Sequence, residues 1–320
     1  MKLDTVDQPL LAIVVPCYNE ESVLRISSKK LHEKVESLKS NNLIHEGSYI
    51  LFVNDGSNDN TQNIIEDLNN QSSCYKGLSL SRNFGHQNAL TAGLHYVSNR
   101  CDISISLDSD LQDDIDVVDD FIDEYKKGYH VVYGVRKSRK RDTFFKKITA
   151  ETYYKVLNFL GVNVVYNHAD YRLVSCVVLK SFNDFGEYNL YLRGIFPLIG
   201  FPSSKVYYNR AERYAGVSKY NFIKMISFAW DGISSFSSVP LRVISIISIF
   251  ILIFSFLVGI YALRSWYLGD IVTGWTSLLL VISFLGGLQM LAVGVIGEYI
   301  AKIYQEIKKR PRYIVDKELF

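Results

Sequence analysis

The chain has 320 residues and a formal net charge of +2 at pH 7. That length holds one large domain or two ordinary ones, and the near-balance of charge points to neither nucleic acid nor an acidic partner. Four cysteines, Cys17, Cys74, Cys101 and Cys176, stand far apart with no C-x-x-C spacing, which argues against a zinc site or a disulfide framework and fits a reducing, cytosolic setting.

The amino-terminal stretch MKLDTVDQPL lacks the basic-then-apolar pattern of a secretory signal. Strand-like apolar runs follow, ending near Val15 (LLAIVV), Val53 (YILFV), Leu80 (GLSL), Leu107 (ISISL) and Tyr133 (HVVY). Between the first two, Leu24, Leu31, Val35 and Leu38 recur at helical spacing. Asn58 or Asp59 can cap the next helix, whose apolar stripe is Ile64, Ile65 and Leu68. Repeated strand–helix units predict an α/β fold with a doubly wound, mostly parallel sheet. Ligands of such sheets bind beyond the carboxyl ends of the strands. Polar loops follow all five runs: 16–21, 54–59, 81–87, 108–116 and 134–136.

Charge is unevenly placed along this edge. Residues 108–124 hold nine acids, and residues 136–147 hold seven bases. Asp108 and Asp110, at i and i+2 past a buried strand, offer oxygen ligands to Mg²⁺ or Mn²⁺, and Gln112 adds a carbonyl oxygen. A cation would relieve the repulsion of so many carboxylates. Asp113, Asp114 and Asp116 are better read as favouring a helix N-terminus. The basic run, interleaved with Phe144 and Phe145, is either a solvated face or a surface against anionic headgroups. Gly56 and Gly85 fit tight turns, and Cys17 a small buried thiol. His86 and His168 are read as structural or solvent-facing, and His95 is given no role.

The carboxy-terminal third has another character. Around residues 218–238, Phe222, Met225, Ile226, Ala229 and Ile233 recur at helical spacing among further aromatics, as in a helix lying in a membrane interface; a core helix is the alternative. Residues 243–263 and 275–297 carry no charge over 21 and 23 positions, long enough to span a bilayer. Lys and Arg cluster before the first run and after the second, while the short loop between has only Arg264, balanced by Asp270. Both termini are therefore expected in the cytoplasm and the loop outside a cell membrane. The expected organisation is a catalytic domain over 1–217, juxtamembrane helices over 218–240, spans over 241–264 and 275–298 joined by an extracytoplasmic loop over 265–274, and a cytoplasmic basic tail over 299–320.

These residues also carry a family resemblance. The stretches VVPCYNEE (14–21), VNDGSNDNT (53–61), LSRNFGHQNALTAGL (80–94), LDSDLQDD (107–114), YGVRKSR (133–139), ADYRLVS (169–175), RYAGVSKY (213–220) and GVIGEYIAKIYQEIKKRPRYIV (294–315) appear in order. Together they resemble the family 2 glycosyltransferases with a GT-A fold. Within these they resemble the polyisoprenyl-phosphate glycosyltransferases, including dolichyl-phosphate mannose synthase and the bacterial two-span enzymes that glycosylate undecaprenyl phosphate. The resemblance implies a nucleotide site of Pro16, Tyr18, Glu20, Asp55, Arg82 and Asp108, with ordinary core as the lesser alternative for Tyr18. It implies a metal held by Asp108, Asp110 and Gln112, an acceptor-phosphate site of Arg136, Arg213 and Lys219, and catalytic roles for Asp110, Arg136, Asp170 and Arg172 near sugar and acceptor. Asn54 departs from the double-aspartate form of its motif, while Asp55 remains.

The expected activity is inverting, metal-dependent transfer of a sugar from a nucleotide donor, UDP-glucose first, to undecaprenyl phosphate at the cytoplasmic membrane face. The same reaction with UDP-N-acetylglucosamine or another nucleotide sugar is the nearest alternative. A processive polysaccharide synthase would carry a Q-x-x-R-W motif and more spans, and this sequence has neither. A non-catalytic membrane adaptor is the alternative from another class, and the intact Asp108, Asp110, Arg136 and Asp170 speak against it. The expected partners are the lipid bilayer, the donor and the lipid acceptor; the resemblance leaves room for a homo-oligomer and for a small membrane flippase.

Overall fold

A computed structural model describes residues 5–110, 112–137, 168–187, 192–209, 239–268 and 274–320. Among these the chain forms two compact units, one built on a sheet and its helices, the other on two long helices.

The sheet unit begins with β1 (Leu11–Cys17), α1 (Leu24–Ser40), β2 (Tyr49–Asn54), α2 (Thr61–Gln71), β3 (Tyr75–Leu80), α3 (His86–Val97) and β4 (Ile103–Ser106). A 3₁₀ turn at Ile115–Val117 leads into α4 (Val118–Lys126) and β5 (Val131–Arg136). Then come β6 (His168–Ser175), α5 (Cys176–Asn183), α6 (Leu192–Ile199) and β7 (Ser203–Tyr208). The eight strands, including β8 (Val315–Leu319) from the far end of the chain, lie in the order β7-β5-β6-β4-β1-β2-β3-β8. Strands β4, β1, β2 and β3 run parallel, while β6 is antiparallel to both β4 and β5. The carboxyl ends of β4 and β5 therefore reach the same edge as the amino end of β6. The predicted α/β, mostly parallel sheet is what the structure contains, with β6 and β8 as its reversed strands.

Burial explains the runs seen in sequence. All seven residues of β1 and all six of β2 are buried, as strands covered on both faces must be. The α1 stripe of Leu24, Leu31, Val35 and Leu38 and the α2 stripe of Ile64, Ile65 and Leu68 pack into one core with Ile13, Phe52 and Ile105. Asp59 does hold the start of α2: its carboxylate accepts from the Thr61 N–H at 3.0 Å, although the capping position itself is Asn60.

The second unit holds α7 (Val239–Tyr267) and α8 (Trp275–Lys308). Phe250, Leu252, Phe254 and Phe256 on α7 are about two-thirds exposed, a density of bare apolar side chains that water does not support. Both helices are long and apolar enough to cross a membrane. At 34 residues α8 is about 50 Å long, so it continues well past the expected span end at 298. The expected tail over 299–320 also differs: its last residues form β8, antiparallel to β3. The expected interfacial helix at 218–238 lies outside the described residues.

Candidate active site

Chain order runs from β1 outward through β2 and β3, then returns to β4 on the other side of β1. That reversal puts the switch point of the sheet at the carboxyl ends of β1 and β4, and in sheets of this kind ligands bind in the crevice at such a point. The loops of the edge are tied to one another before any ligand arrives. Asn19, in left-handed backbone at φ 55°, accepts from the Asn58 N–H at 2.9 Å and donates its own N–H to Ser57 Oγ at 3.0 Å. The Glu20 N–H donates to Thr61 Oγ1, the Glu21 N–H to Asp59, and the Asn60 N–H to Glu21. Asn54 is buried, donating to Gln62 and accepting from the Ser57 N–H. The change from aspartate at this position therefore falls on a residue that shapes the loop.

Asp55 is buried, and its two carboxylate oxygens accept from the N–H groups of Phe84 and Gly85 at 2.7 and 2.9 Å. Burial pushes its pKa up, and those two bonds with His86 and Arg82 pull it back. Gly56, at φ +62°, lies so close to this loop that an added Cβ would stand 2.3 Å from the Arg82 backbone. The glycine is required by both conformation and space. Arg82 itself is exposed, its guanidinium 4.0 Å from the Phe84 ring centre. It lines a polar cavity of about 720 Å³ with Asn54, Ser57, Asn83, Asp316 and Lys317. Tyr18 is 42% exposed, not in the core; Pro16 is buried within β1.

Carboxylates crowd the mouth of the crevice. Burial raises the pKa of Asp108, with Asp170, Asp113 and Asp110 adding to the rise and His86 opposing it. Glu20 is likewise raised by burial, Asp110 and Asp108, against a hydrogen bond from Ser109. The Gln112 N–H donates to Asp110 Oδ1 at 3.2 Å, and the Gln112 side-chain oxygen is buried without a hydrogen-bond partner among the described residues. A buried amide oxygen and a carboxyl raised by burial at Asp108 are oxygen donors of the kind a hard divalent cation takes.

Behind this group each charge has its counterpart. Arg172 is fully buried; it donates to Asp170 Oδ1 at 2.5 Å and to the Leu192 carbonyl at 3.2 Å, and stacks over Phe196. Arg193, one-third exposed, closes the other side of Asp170 at 3.1 Å. Burial alone would raise the Asp170 pKa, but Arg193 and Arg172 outweigh it and hold the carboxyl well below the usual range. Arg172 therefore fixes Asp170 from within the core and is a positioning residue; the guanidinium facing the crevice is that of Arg193. No motif singled out Arg193, whose only signal was a basic residue opening an apolar helix. Asp113 also departs from expectation. It is buried, paired with Arg136 at 3.2 Å and accepting from the Tyr208 hydroxyl at 2.6 Å, and caps no helix. Asp114 does cap, accepting from the Asp116 N–H at the 3₁₀ turn. His86, about half exposed, lies 3.6 Å from Asp108 and 3.9 Å from Asp170, between the two kinds of carboxylate. Cys17 is buried with its thiol pushed up by burial, as a space-filling residue should be. Arg213 and Lys219 lie outside the described residues.

Away from the edge, ligand atoms of His32, Glu36 and Cys74 lie within 4.8 Å of one another, but the Lys39 ammonium already bonds Glu36 at 2.9 Å and supplies the positive charge there.

The class this edge defines is an α/β protein that gathers carboxylates and arginines on polar loops at the carboxyl ends of its strands. Residues 12–184 match the family described as glycosyl transferase family 2, and the chain belongs to that family, with its GT-A fold. It is 49% identical over 313 residues to "Uncharacterized glycosyltransferase YkoT" of Bacillus subtilis, covering 98% of this chain and 93% of the relative. It is 40% identical over 309 residues to the "SfII prophage-derived bactoprenol glucosyl transferase" of Shigella flexneri, covering 96% and 97%. Among solved structures, glucosyl-3-phosphoglycerate synthase from Mycobacterium tuberculosis, in complex with Mn²⁺ and UDP-glucose, overlaps with a TM-score of 0.44 at 16% identity, covering 71% of this chain and 78% of the other.

Proposed function

We propose that the protein transfers glucose from UDP-glucose to undecaprenyl phosphate at the cytoplasmic face of the cell membrane, inverting the anomeric centre. The observation that carries this reading is the 40% identity with a bactoprenol glucosyl transferase over 96% of this chain, a span that includes both apolar helices. Undecaprenyl phosphate is an acceptor that only a membrane-held enzyme meets at useful concentration. Membrane sidedness is supported by the distribution of Lys and Arg. It is also supported by connectivity: β3 precedes α7, β8 follows α8, and the two strands pair, so the two helices must return the chain to the side it left.

Asp108, Asp110 and Gln112 are the residues that would hold Mg²⁺ or Mn²⁺, which when bound would offset charge on the departing diphosphate. The Phe84 and Gly85 amides fix Asp55 for the nucleoside, and the tied loops 18–21 and 57–61 give it a rigid floor. Arg193, one-third exposed, and the part of Arg136 that its bonds to Asp113 and Tyr208 leave exposed would orient an acceptor phosphate. Asp170, kept ionised by its arginines, orients these groups and takes no proton. None need be taken, because a phosphate monoester with a second pKa near 6 arrives largely as the dianion. An α-linked donor then gives a β-linked glucosyl phospholipid.

The test is purified protein in lipid nanodiscs with undecaprenyl phosphate and a panel of radiolabelled nucleotide sugars. A β-linked glucosyl lipid from UDP-glucose supports the reading. A product from UDP-N-acetylglucosamine alone would overturn the sugar, and no glycolipid from any donor would overturn the activity.

A further inference from the structure

The last nine residues are bound along the sheet unit, beginning near the active-site edge. Arg312 donates to the Phe185 carbonyl at 2.6 Å. The Tyr313 hydroxyl and His95 Nδ1 share a hydrogen bond of 2.9 Å. The Ile314 carbonyl accepts from the Ser81 N–H at 3.0 Å. Strand β8 then pairs with β3 from Val315 opposite Leu80 to Leu319 opposite Gly77, with an irregularity between Ser79 and Leu80. Lys317 bridges to Glu66 at 2.8 Å, and Phe320 stacks on Tyr96 with ring centres 4.8 Å apart. Gly77 leaves the room: a Cβ there would stand 2.9 Å from the Leu319 side chain.

Two features set this segment apart from an ordinary edge strand. It buries little, since every β8 residue but Leu319 is exposed, so it adds little apolar stabilisation to the core. One of its bonds, from the Ser81 N–H to the Ile314 carbonyl, also reaches a loop of the candidate site. Ser81 opens the segment 81–86, which supplies the two amides that hold Asp55 and then His86, between Asp108 and Asp170. His95 and Tyr96, on the helix that follows, are gripped by Tyr313 and Phe320. Asp316 and Lys317 complete the wall of the cavity that Arg82 and Asn83 line.

We propose that Arg312–Phe320 is a clasp that holds the 81–86 loop at Ser81 and α3 at its last turn, and so sets the donor side of the site. It begins four residues after α8 ends at Lys308, so one continuous stretch of chain serves as membrane helix and as active-site positioning segment. The proposal rests on the proposed function only where turnover is measured; its structural content stands apart from the identity of the sugar.

The experiment compares the full chain with a truncation lacking 312–320 and with the double variant Tyr313→Ala/Phe320→Ala, all in nanodiscs. Hydrogen–deuterium exchange needs no substrate. The expected result is exchange in residues 81–87 faster by about tenfold or more, with α1 as protected as before. UDP affinity should weaken by about five- to tenfold. The synthetic peptide RYIVDKELF, added to the truncated protein as an edge strand, should restore both. Unchanged protection at 81–87 in both variants would overturn the proposal. So would a uniform loss of protection in both, which would make the segment a staple of the whole fold. A transferase assay that failed with every donor, while the exchange pattern appeared, would count against the proposed function and leave the clasp in place.

Discussion

Asp108 and Asp170 face one another across His86, and their surroundings treat them in opposite ways. Asp170 has a guanidinium on each oxygen, and its pKa falls despite burial. Asp108 is raised first by burial and then by three neighbouring carboxylates, against the pull of His86. The protein thus completes one charge balance itself and leaves the other open. A balance left open at a crevice is where an outside cation does chemical work; a closed one holds geometry.

The sharpest way to break that contrast is to neutralise each carboxylate in turn. Asp170→Asn leaves the fully buried Arg172 without its carboxylate, and should destabilise the sheet unit by about 3–5 kcal/mol in thermal or urea unfolding. Asp108→Asn removes a repulsion, so without divalent ions the variant should melt at or above the wild-type temperature. Equal destabilisation by both changes would erase the distinction.

Turnover should give the reverse order of tolerance. Asp108→Asn and Asp110→Asn should each lose about 10²–10³ in rate at full folding, a loss typical of removing one group that stabilises the transition state. The stability gain of Asp108→Asn should also depend on pH in a set direction. A carboxyl raised in the folded state costs stability when ionised, and the cost is relieved as pH falls through its folded value. The difference between wild type and Asp108→Asn should therefore be largest near neutral pH, shrink on acidification, and vanish on adding Mn²⁺. A difference that grows with acid would reverse the sign and refute the crowding.

A smaller effect tests the tied loops. Gly56→Ala forces a side chain into left-handed backbone and against Arg82, and should cost about 1–3 kcal/mol with weaker UDP binding. Wild-type UDP affinity in this variant would mean that the contact between the loops does not shape the donor site.

The sheet was legible because its strands are continuous apolar runs closed by polar loops, and because α1 and α2 carry their stripes at helical spacing. The position of Asp108 and Asp110 just past β4 was equally legible, since a parallel strand ends there. The closed half of the site was not. Arg193 lies 23 positions from Asp170, in a helix with no motif, and only tertiary packing joins them. Asp113 looked like a capping acid because acids before a helix usually are; the partners that remove it from that role, Arg136 and Tyr208, come from β5 and β7. The carboxy-terminal strand was hidden for a related reason. RYIVDKELF follows a run of bases and alternates too weakly to announce a strand, and its partner β3 lies more than 200 residues away.

The smallest expected effect concerns the acid limb of the pH–rate profile, and it separates acceptor from enzyme. Turnover should fall as pH drops through about 6, where a phosphate monoester loses its dianion. Asp170 is removed as the titrating group by its two arginines, which hold it ionised far into acid. Asp108 and Glu20 are the enzyme's rivals, since burial and neighbouring acids raise both. A lipid phosphonate acceptor with a higher second pKa distinguishes them without touching the protein. If the nucleophile must be the dianion, the limb moves with the acceptor, by the same fraction of a unit or more. If the limb stays fixed while the acceptor changes, a carboxyl of the crowded group is titrating. A further profile with Glu20→Gln would then say which of the two it is, and the account of a base-free transfer would be wrong.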